Sequence, residues 1–166
     1  RLTRDKLGDL FSACESLFNS GDRELHLIGP MQEEISIPSW VRYHGPAGPD
    51  SLREQWFPSA TGLITLSRHA EGRPQVMLEA MAAGLPIVAS DIEAHRSFVE
   101  HTETGYLVGP HGTVGDAIAA LECYETNLKT GQAARRWAKR EVGTWDDCAE
   151  RYVSRYRALI DQDLHG

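Results

Sequence analysis

Two glutamates separated by seven residues are the side chains of this sequence that are best placed for chemistry. Glu71 follows an apolar run with strand composition, and Glu79 lies within the next stretch, which has helical composition. The free amides at the start of such a helix, together with its dipole, favour an anionic or hydroxyl-rich ligand. The spacing therefore predicts a binding site where a strand passes into a helix.

Three segments must position these carboxylates. Leu63–Leu66 and Pro86–Ala89 are short apolar runs, and Pro74–Ala83 has helical composition between them. Pro74 suits the first helical position, and Gly84 suits the left-handed residue that ends a helix. Two strands joined by a helix are expected to be parallel, with a right-handed crossover.

Ligands of open parallel sheets bind outside the carboxyl ends of the strands. In this sequence those ends lead into the loop Ser67–Arg73 and the turn Ser90–His95. The remaining chain continues the alternation of strands and helices, so the sequence predicts one α/β domain. We expect further strands at 24–28, 40–44 and 105–108, an amphipathic helix at 7–18, a brief helix at 51–57 that Pro58 ends, an irregular connection at 31–39, and three helices after residue 113. Thr113 and Thr144 are expected to begin the first and the third of these helices, each with an aspartate three residues later. The third helix carries aromatic and aliphatic residues at helical spacing, and we expect this stripe to lie in the core.

Composition narrows the class of protein. The 166 residues carry a net charge of −7, which lacks the basic footprint of a nucleic-acid binder. The three cysteines are far apart and odd in number, which is typical of a reducing compartment and not of a disulfide framework. No apolar run approaches the roughly 18 residues of a membrane span, and no signal peptide is recognisable. We therefore expect a cytoplasmic protein, with attachment to a membrane possible only through a part of the protein outside these residues.

The string EGRPQVMLEAMAAGLPIVAS, from Glu71 to Ser90, resembles the donor-site signature of the retaining glycosyltransferases of group 1, which have the two-domain GT-B fold. Their pattern is Glu, seven residues, Glu, then Ala-Met-Ala-x-Gly-x-Pro-Val-Val-Ala. The resemblance implies a Rossmann-like parallel sheet flanked by helices, the C-terminal half of a GT-B fold with its C-terminal helices. It also implies transfer of a hexose from a nucleotide sugar to a glycan or a lipid-linked acceptor, without a metal or another cofactor.

The amino-terminal segment RLTRDK resembles the family segment Gly-Arg-Leu-x-x-x-Lys-Gly, whose arginine and lysine bind the donor diphosphate. The family strand before Arg1 is absent, so we expect a fragment, residues 1–166, whose amino-terminal acceptor domain is missing and which is inactive alone. With Glu71 as the catalytic residue, the resemblance implies these donor-binding residues: Arg1, Lys6, Gly72, Arg73, Gln75, Val76 and Glu79.

The chain departs from the family pattern at two places that face the expected cleft. Many relatives read Glu-Gly-Phe-Gly where this chain has Arg73 and Pro74, so one backbone donor is lost and one charge is gained. The family Gly-Gly-x-x-Glu segment is also absent after Ser90. Glu93 and His95 there either occupy space that is open in relatives or belong to a solvated, charged turn.

Several alternatives compete with a transferase. A glycosidase pair needs carboxyl groups about 5 to 9.5 Å apart, which the glutamate spacing permits, although phosphate-binding features have no use there. A dehydrogenase is disfavoured because no Gly-x-Gly-x-x-Gly follows a predicted strand. The seven histidines show no zinc-ligand spacing. A nucleotide-sugar epimerase and a non-catalytic nucleotide-sugar-binding or scaffold module stay open.

Overall fold

The computed structural model describes residues 1–69, 72, 74–109 and 112–164 of the chain. Within these ranges the protein is α/β, with short parallel strands between helices, which confirms the predicted fold class. The described residues form five strands in two sheets: β1 (Leu25–Leu27) and β2 (Val41–Tyr43) in one, and β3 (Leu63–Thr65), β4 (Ile87–Ser90) and β5 (Gly105–Val108) in the other.

Strand β4 is the centre of the larger sheet. It pairs in parallel with β3 on one side, where Ile64 lies opposite Val88, and with β5 on the other, where Val88 lies opposite Tyr106. The crossover from β3 to β4 is the helix that the sequence predicted. The carboxyl ends of all three strands consequently meet at one edge of the sheet.

Helices cover both faces of the sheets. Their bounds are α1 (Arg4–Leu7), α2 (Leu10–Phe18), α3 (Pro49–Ser51), a π-helical turn (Leu52–Trp56), α4 (Phe57–Ser59), α5 (Gln75–Ala83), α6 (Glu93–Arg96), α7 (Val114–Glu122), α8 (Tyr124–Glu141) and α9 (Trp145–Leu164). One core lies under α2 and α7, and a second lies under α5 and α8. On β4, Val88 faces the first core whereas Ile87 and Ala89 face the second, so this strand is buried on both sides.

The predicted helix at 7–18 is interrupted in the structure. The helix α1 ends at Gly8, whose φ is 53°, and α2 begins two residues later. A Cβ atom at Gly8 would lie 1.9 Å from the carbonyl oxygen of Leu66. Glycine is needed here because the chain turns while its backbone touches the end of β3.

Two prolines occupy helix positions other than those expected. Pro74 is the N-cap of α5 and not its first helical residue. Pro58 does not end the helix before it, because a π-helical turn precedes it and the helix continues to Ser59. The Ser59 hydroxyl donates to the carbonyl oxygen of Gln55 at 2.8 Å, which satisfies one of the acceptors near the helix end.

The final helix α9 corrects another expectation. The sequence predicted that its aromatic and aliphatic stripe is core, yet Trp145 is 89% exposed and Tyr152 and Tyr156 are each 62% exposed. The helix begins as predicted, since the backbone amide of Thr144 donates to the Asp147 carboxylate at 2.6 Å. The stripe is therefore largely exposed in the described part of the chain. Among the described helices, α9 included, none is both long and apolar enough to cross a membrane.

Candidate ligand-binding site

The amino-terminal segment lies against the loop that leaves β3. Leu2 forms a parallel bridge with Met31, just beyond the end of β1, and its amide donates to the carbonyl oxygen of Pro30 at 2.9 Å. On the other side, the backbone amide of Arg68 donates to the carbonyl oxygen of Asp5 at 2.8 Å. The segment thus spans the carboxyl ends of β1 and β3, which belong to different sheets.

Both basic residues of the predicted phosphate site lie on this segment. Arg1 is exposed and Lys6 is half-buried within α1. The helix is anchored by Thr3, whose hydroxyl accepts from the amide of Lys6 at 3.2 Å. Their positions bring both residues to the sheet edge where the sequence predicted a ligand.

The start of α5 presents backbone donors to the same edge. Pro74 is buried and, as the N-cap, has no side-chain acceptor to offer to the amides of Gln75 and Val76. The first turn contains no acidic side chain, so the positive end of the helix dipole is not neutralised there by its own residues. By contrast, Thr113 and Asp116 form a capping box at the start of α7.

Glu79 lies one turn into α5 and is half-buried. Residues four apart share a helix face, so Glu79 follows Gln75 about 6 Å along the axis. Cα–Cβ bonds tilt toward the helix N-terminus, so the side chain of Glu79 leaves the backbone in the direction of the start of α5. Gly72 is exposed just before this helix. Glu71 and Arg73 lie outside the described residues.

The turn after β4 contributes a side chain that the sequence placed ambiguously. His95 is only 1% exposed, so it is not part of a solvated turn. Its Nδ1 lies 2.8 Å from the carbonyl oxygen of Ser90. The Ser90 hydroxyl in turn donates to the carbonyl oxygen of Ser67 at 2.6 Å. Glu93, in the same turn, is exposed.

The turns after β1 and β2 are tied together. The amide of Gly29 donates to the carbonyl oxygen of Gly45 at 2.7 Å, and the Tyr43 hydroxyl donates to the carbonyl oxygen of Gly29 at 3.0 Å. These contacts fix the start of the loop that follows β2, and the Tyr43 side chain supports the turn after β1.

A cleft of about 550 Å³ opens at the carboxyl ends of β3, β4 and β5, on the side covered by α2 and α7. It shares Ser67 and Arg68 with the loop that leads to Glu71. No predicted donor residue in the described part of the chain lines it. The predicted donor residues that the structure describes therefore lie outside this cleft.

Sequence reasoning missed two serines that join these segments. Ser67 lies two residues beyond β3 and Ser90 ends β4, both on the ligand edge, and each uses its hydroxyl to bind the neighbouring segment. The signal that could have identified them is their position, since each is the first polar residue after an apolar run. Among the described residues, no group of three or more His, Cys, Asp or Glu side chains could hold a metal ion.

Comparison with known proteins gives a family and a fold. The sequence profile of the family described as "Glycosyl transferases group 1" matches residues 1–125. A relative from Gordonia bronchialis, described as a D-inositol 3-phosphate glycosyltransferase, is 31% identical over 139 residues, which cover 81% of this chain and 29% of the relative.

Two solved structures share the fold. Sucrose-phosphate synthase from Thermosynechococcus elongatus has a TM-score of 0.77 at 22% identity, covering 96% of this chain and 43% of that protein. Anabaena Alr3699/HepE, solved in complex with UDP-glucose, has a TM-score of 0.72 at 19% identity, covering 93% of this chain and 47% of that protein. The chain therefore spans less than half the length of each of these three proteins.

Proposed function

The chain belongs to the glycosyl transferases group 1 family, and from this premise we propose that it is the nucleotide-sugar-binding part of a retaining, metal-independent glycosyltransferase. The intact enzyme moves a hexose from a nucleotide sugar to a glycan or a lipid-linked acceptor. The observation that carries this proposal is the hydrogen bond between the Arg68 amide and the Asp5 carbonyl. It joins the segment of the two predicted phosphate ligands to the loop of the predicted catalytic residue.

The diphosphate of the donor is the group that gains charge as the glycosidic bond breaks. Arg1 and Lys6 supply positive charge at the sheet edge, and the amides of Gln75 and Val76 supply oriented donors from the start of α5. Such preorganised groups stabilise developing charge most effectively because they need no reorganisation during the reaction. The leaving diphosphate is therefore held without a metal ion.

The sugar and the ribose are held by the two glutamates and the loop between them. The Glu79 carboxylate accepts hydrogen bonds from the vicinal ribose hydroxyls, because its side chain leans toward the N-terminal end of α5. Glu71 acts on the transferred sugar, and the backbones of Gly72, Arg73 and Gln75 bind the sugar hydroxyls. The Alr3699/HepE structure, which contains UDP-glucose, supports a nucleotide sugar as the ligand of this fold.

Two features support a place for this chain within a larger enzyme. Among the described strands, β1 and β3 each pair on one side only, and the segment that begins at Arg1 lies across their carboxyl ends. Each of these two strands therefore has an edge at which a further parallel strand can pair. The exposed stripe of α9 supplies an apolar surface for an amino-terminal, acceptor-binding domain. We propose that the chain alone binds the donor and does not transfer the sugar.

Calorimetric titration of the chain with UDP, GDP, ADP and dTDP sugars tests this function. One nucleotide should bind saturably, with the same affinity in magnesium and in EDTA. Glu79→Ala should weaken that binding by ~1–3 kcal/mol because a charge-assisted pair of hydrogen bonds is lost. Glu79→Gln keeps an oxygen acceptor without the charge, so its affinity should lie between those of the wild type and Glu79→Ala.

Glu15→Ala is the matched control, since Glu15 is an exposed helical glutamate on α2, which does not contribute to the predicted site. Unchanged affinity in Glu79→Ala would remove Glu79 from the site. A correctly folded chain that binds none of the nucleotides would refute donor binding by this part of the protein. Transfer to an acceptor by the chain alone would refute the assignment of the acceptor site to another domain.

A further inference from the structure

His95 is a buried histidine in a turn that also carries exposed charged residues. It is 1% exposed, whereas Glu93 and Arg96 on the same short helix are exposed. Arg96 forms an ion pair with Asp91, at 2.5 Å between Nε and Oδ1, and the Asp91 side chain is itself only 2% exposed. Burying an imidazole is costly unless its nitrogens have partners. The contacts of the ring therefore show what it does.

The contacts at Nδ1 fix the position of one ring proton. Nδ1 lies 2.8 Å from the carbonyl oxygen of Ser90 and 3.1 Å from the Ser90 hydroxyl. A carbonyl oxygen only accepts, so Nδ1 carries a hydrogen. The Ser90 hydroxyl gives its single proton to the carbonyl oxygen of Ser67, 2.6 Å away, and so acts as an acceptor toward Nδ1. The donors therefore run in one direction, from His95 through Ser90 to Ser67.

Ser67 connects these hydrogen bonds to the loop that follows β3. Its hydroxyl accepts from the amide of His69 at 3.0 Å, which closes the first turn of the loop leading to Glu71. The same hydroxyl lies 3.5 Å from the carbonyl oxygen of Asp5, and that oxygen also accepts from the Arg68 amide at 2.8 Å. Thus the hydrogen bonds that begin at His95 end where the segment of Lys6 meets the loop.

We propose that His95 is a positioning residue of the donor site. Through Ser90, its Nδ1–H holds Ser67 in place, and Ser67 fixes both the start of the catalytic loop and the adjoining amino-terminal segment. His95 thereby sets donor affinity without contacting the donor. This inference rests on the proposed function, because it assumes that the loop after β3 and the segment of Lys6 bind the nucleotide sugar.

The test compares variants of the whole chain in the absence and presence of UDP as the probe. His95→Leu removes the Nδ1–H group and fills the buried position with an apolar side chain. His95→Asn instead keeps an N–H group close to the position of Nδ1. Ser90→Ala breaks the next link. Val99→Ala is the control for stability, since Val99 is 2% exposed and follows the same turn.

Two measurements are made on each variant. Without ligand, NMR exchange rates of the Arg68 and His69 amides report the order of the loop, because both amides donate in the hydrogen bonds described above. With UDP, calorimetry reports affinity. In His95→Leu and Ser90→Ala, the Arg68 and His69 amides should exchange faster. Both variants should bind UDP about two- to tenfold more weakly, which is the effect of one net hydrogen bond. His95→Asn and Val99→Ala should resemble the wild type in both measurements.

Each departure from this pattern has a definite meaning. Exchange rates in His95→Leu equal to those of the wild type would overturn the positioning role, and so would ring ¹⁵N shifts showing an unprotonated Nδ1. Equal losses in His95→Leu and Val99→Ala would also overturn it, since stability alone would then explain the effect. Faster amide exchange with unchanged UDP affinity would refute the claim that His95 sets the affinity for the nucleotide. A wild-type chain that binds no nucleotide would refute the proposed function, and the exchange rates would still decide whether His95 orders the loop.

Discussion

Replacing Gly8 by alanine is the sharpest test of how the amino-terminal segment is seated. Gly8 has a φ of 53°, and a Cβ atom there would lie 1.9 Å from the carbonyl oxygen of Leu66. Carbon and oxygen atoms normally approach no closer than about 3.3 Å. The segment must therefore move by more than an ångström away from the end of β3.

The expected loss of stability has two parts. A non-glycine residue at such a φ costs ~1–3 kcal/mol. Relieving the contact with β3 costs a further ~1–3 kcal/mol, which is typical of overpacked sites. Gly21→Ala is the matched control, because Gly21 has a φ of 88° and nothing within 4 Å of its added Cβ. Gly21→Ala should show only the first part.

Urea unfolding of both variants separates the two parts through the free energy of unfolding. The position of Lys6 depends on the same contact, so UDP affinity should fall in Gly8→Ala and stay unchanged in Gly21→Ala. Equal destabilisation of the two variants would refute the close approach to β3. A stable Gly8→Ala chain with full UDP affinity would refute the seating of Lys6 at the site.

Two further predictions concern titrating groups. Hydrogen bonds from the backbone and the hydroxyl of Thr113 lower the pKa of Asp116 below its ordinary 3.8. They therefore add stability that is present above pH 3.8 and is lost as pH falls through the lower pKa of the folded state. In urea unfolding, Asp116→Asn should be less stable than the wild type at pH 7, by a difference that shrinks toward pH 2; a difference that stays constant with pH would contradict this. Burial raises the pKa of Cys14 to about 11, whereas hydrogen bonds from the backbone and hydroxyl of Thr126 lower the pKa of the exposed Cys123. Iodoacetamide at pH 7.5 should accordingly modify Cys123 and leave Cys14 unmodified until the chain unfolds, as read by mass spectrometry of peptides.

Local pattern was sufficient for most of the fold. The strand, helix and strand from Leu63 to Ser90 could be predicted because each element carries its own signal: apolar β-branched runs, a helix of good formers, and Gly84 at the helix end, where φ is 86°. The capping box at Thr113 and the start of α9 at Thr144 were equally local, since both use contacts within four residues.

The family resemblance located the candidate site, but the contacts that assemble it are not local. Arg1 and Lys6 could be named from sequence because their motif is short. That Asp5 meets Arg68, and that Leu2 meets Met31, depends on how two sheets pack beneath one helix. The pattern of apolar residues records which face of a helix is buried, and it does not record which distant backbone groups then come within hydrogen-bonding distance.

The sequence by itself determined the α/β alternation and the parallel strands, because these follow from periodicity and from residues that begin and end helices. The residues of the ligand edge were named by the family resemblance. Only the tertiary structure decided the fate of individual side chains. His95 is buried although its neighbours are charged, and the stripe of α9 is exposed although its composition is that of a core. Burial depends on what lies opposite a residue in space, and the spacing of residues along the chain does not record it.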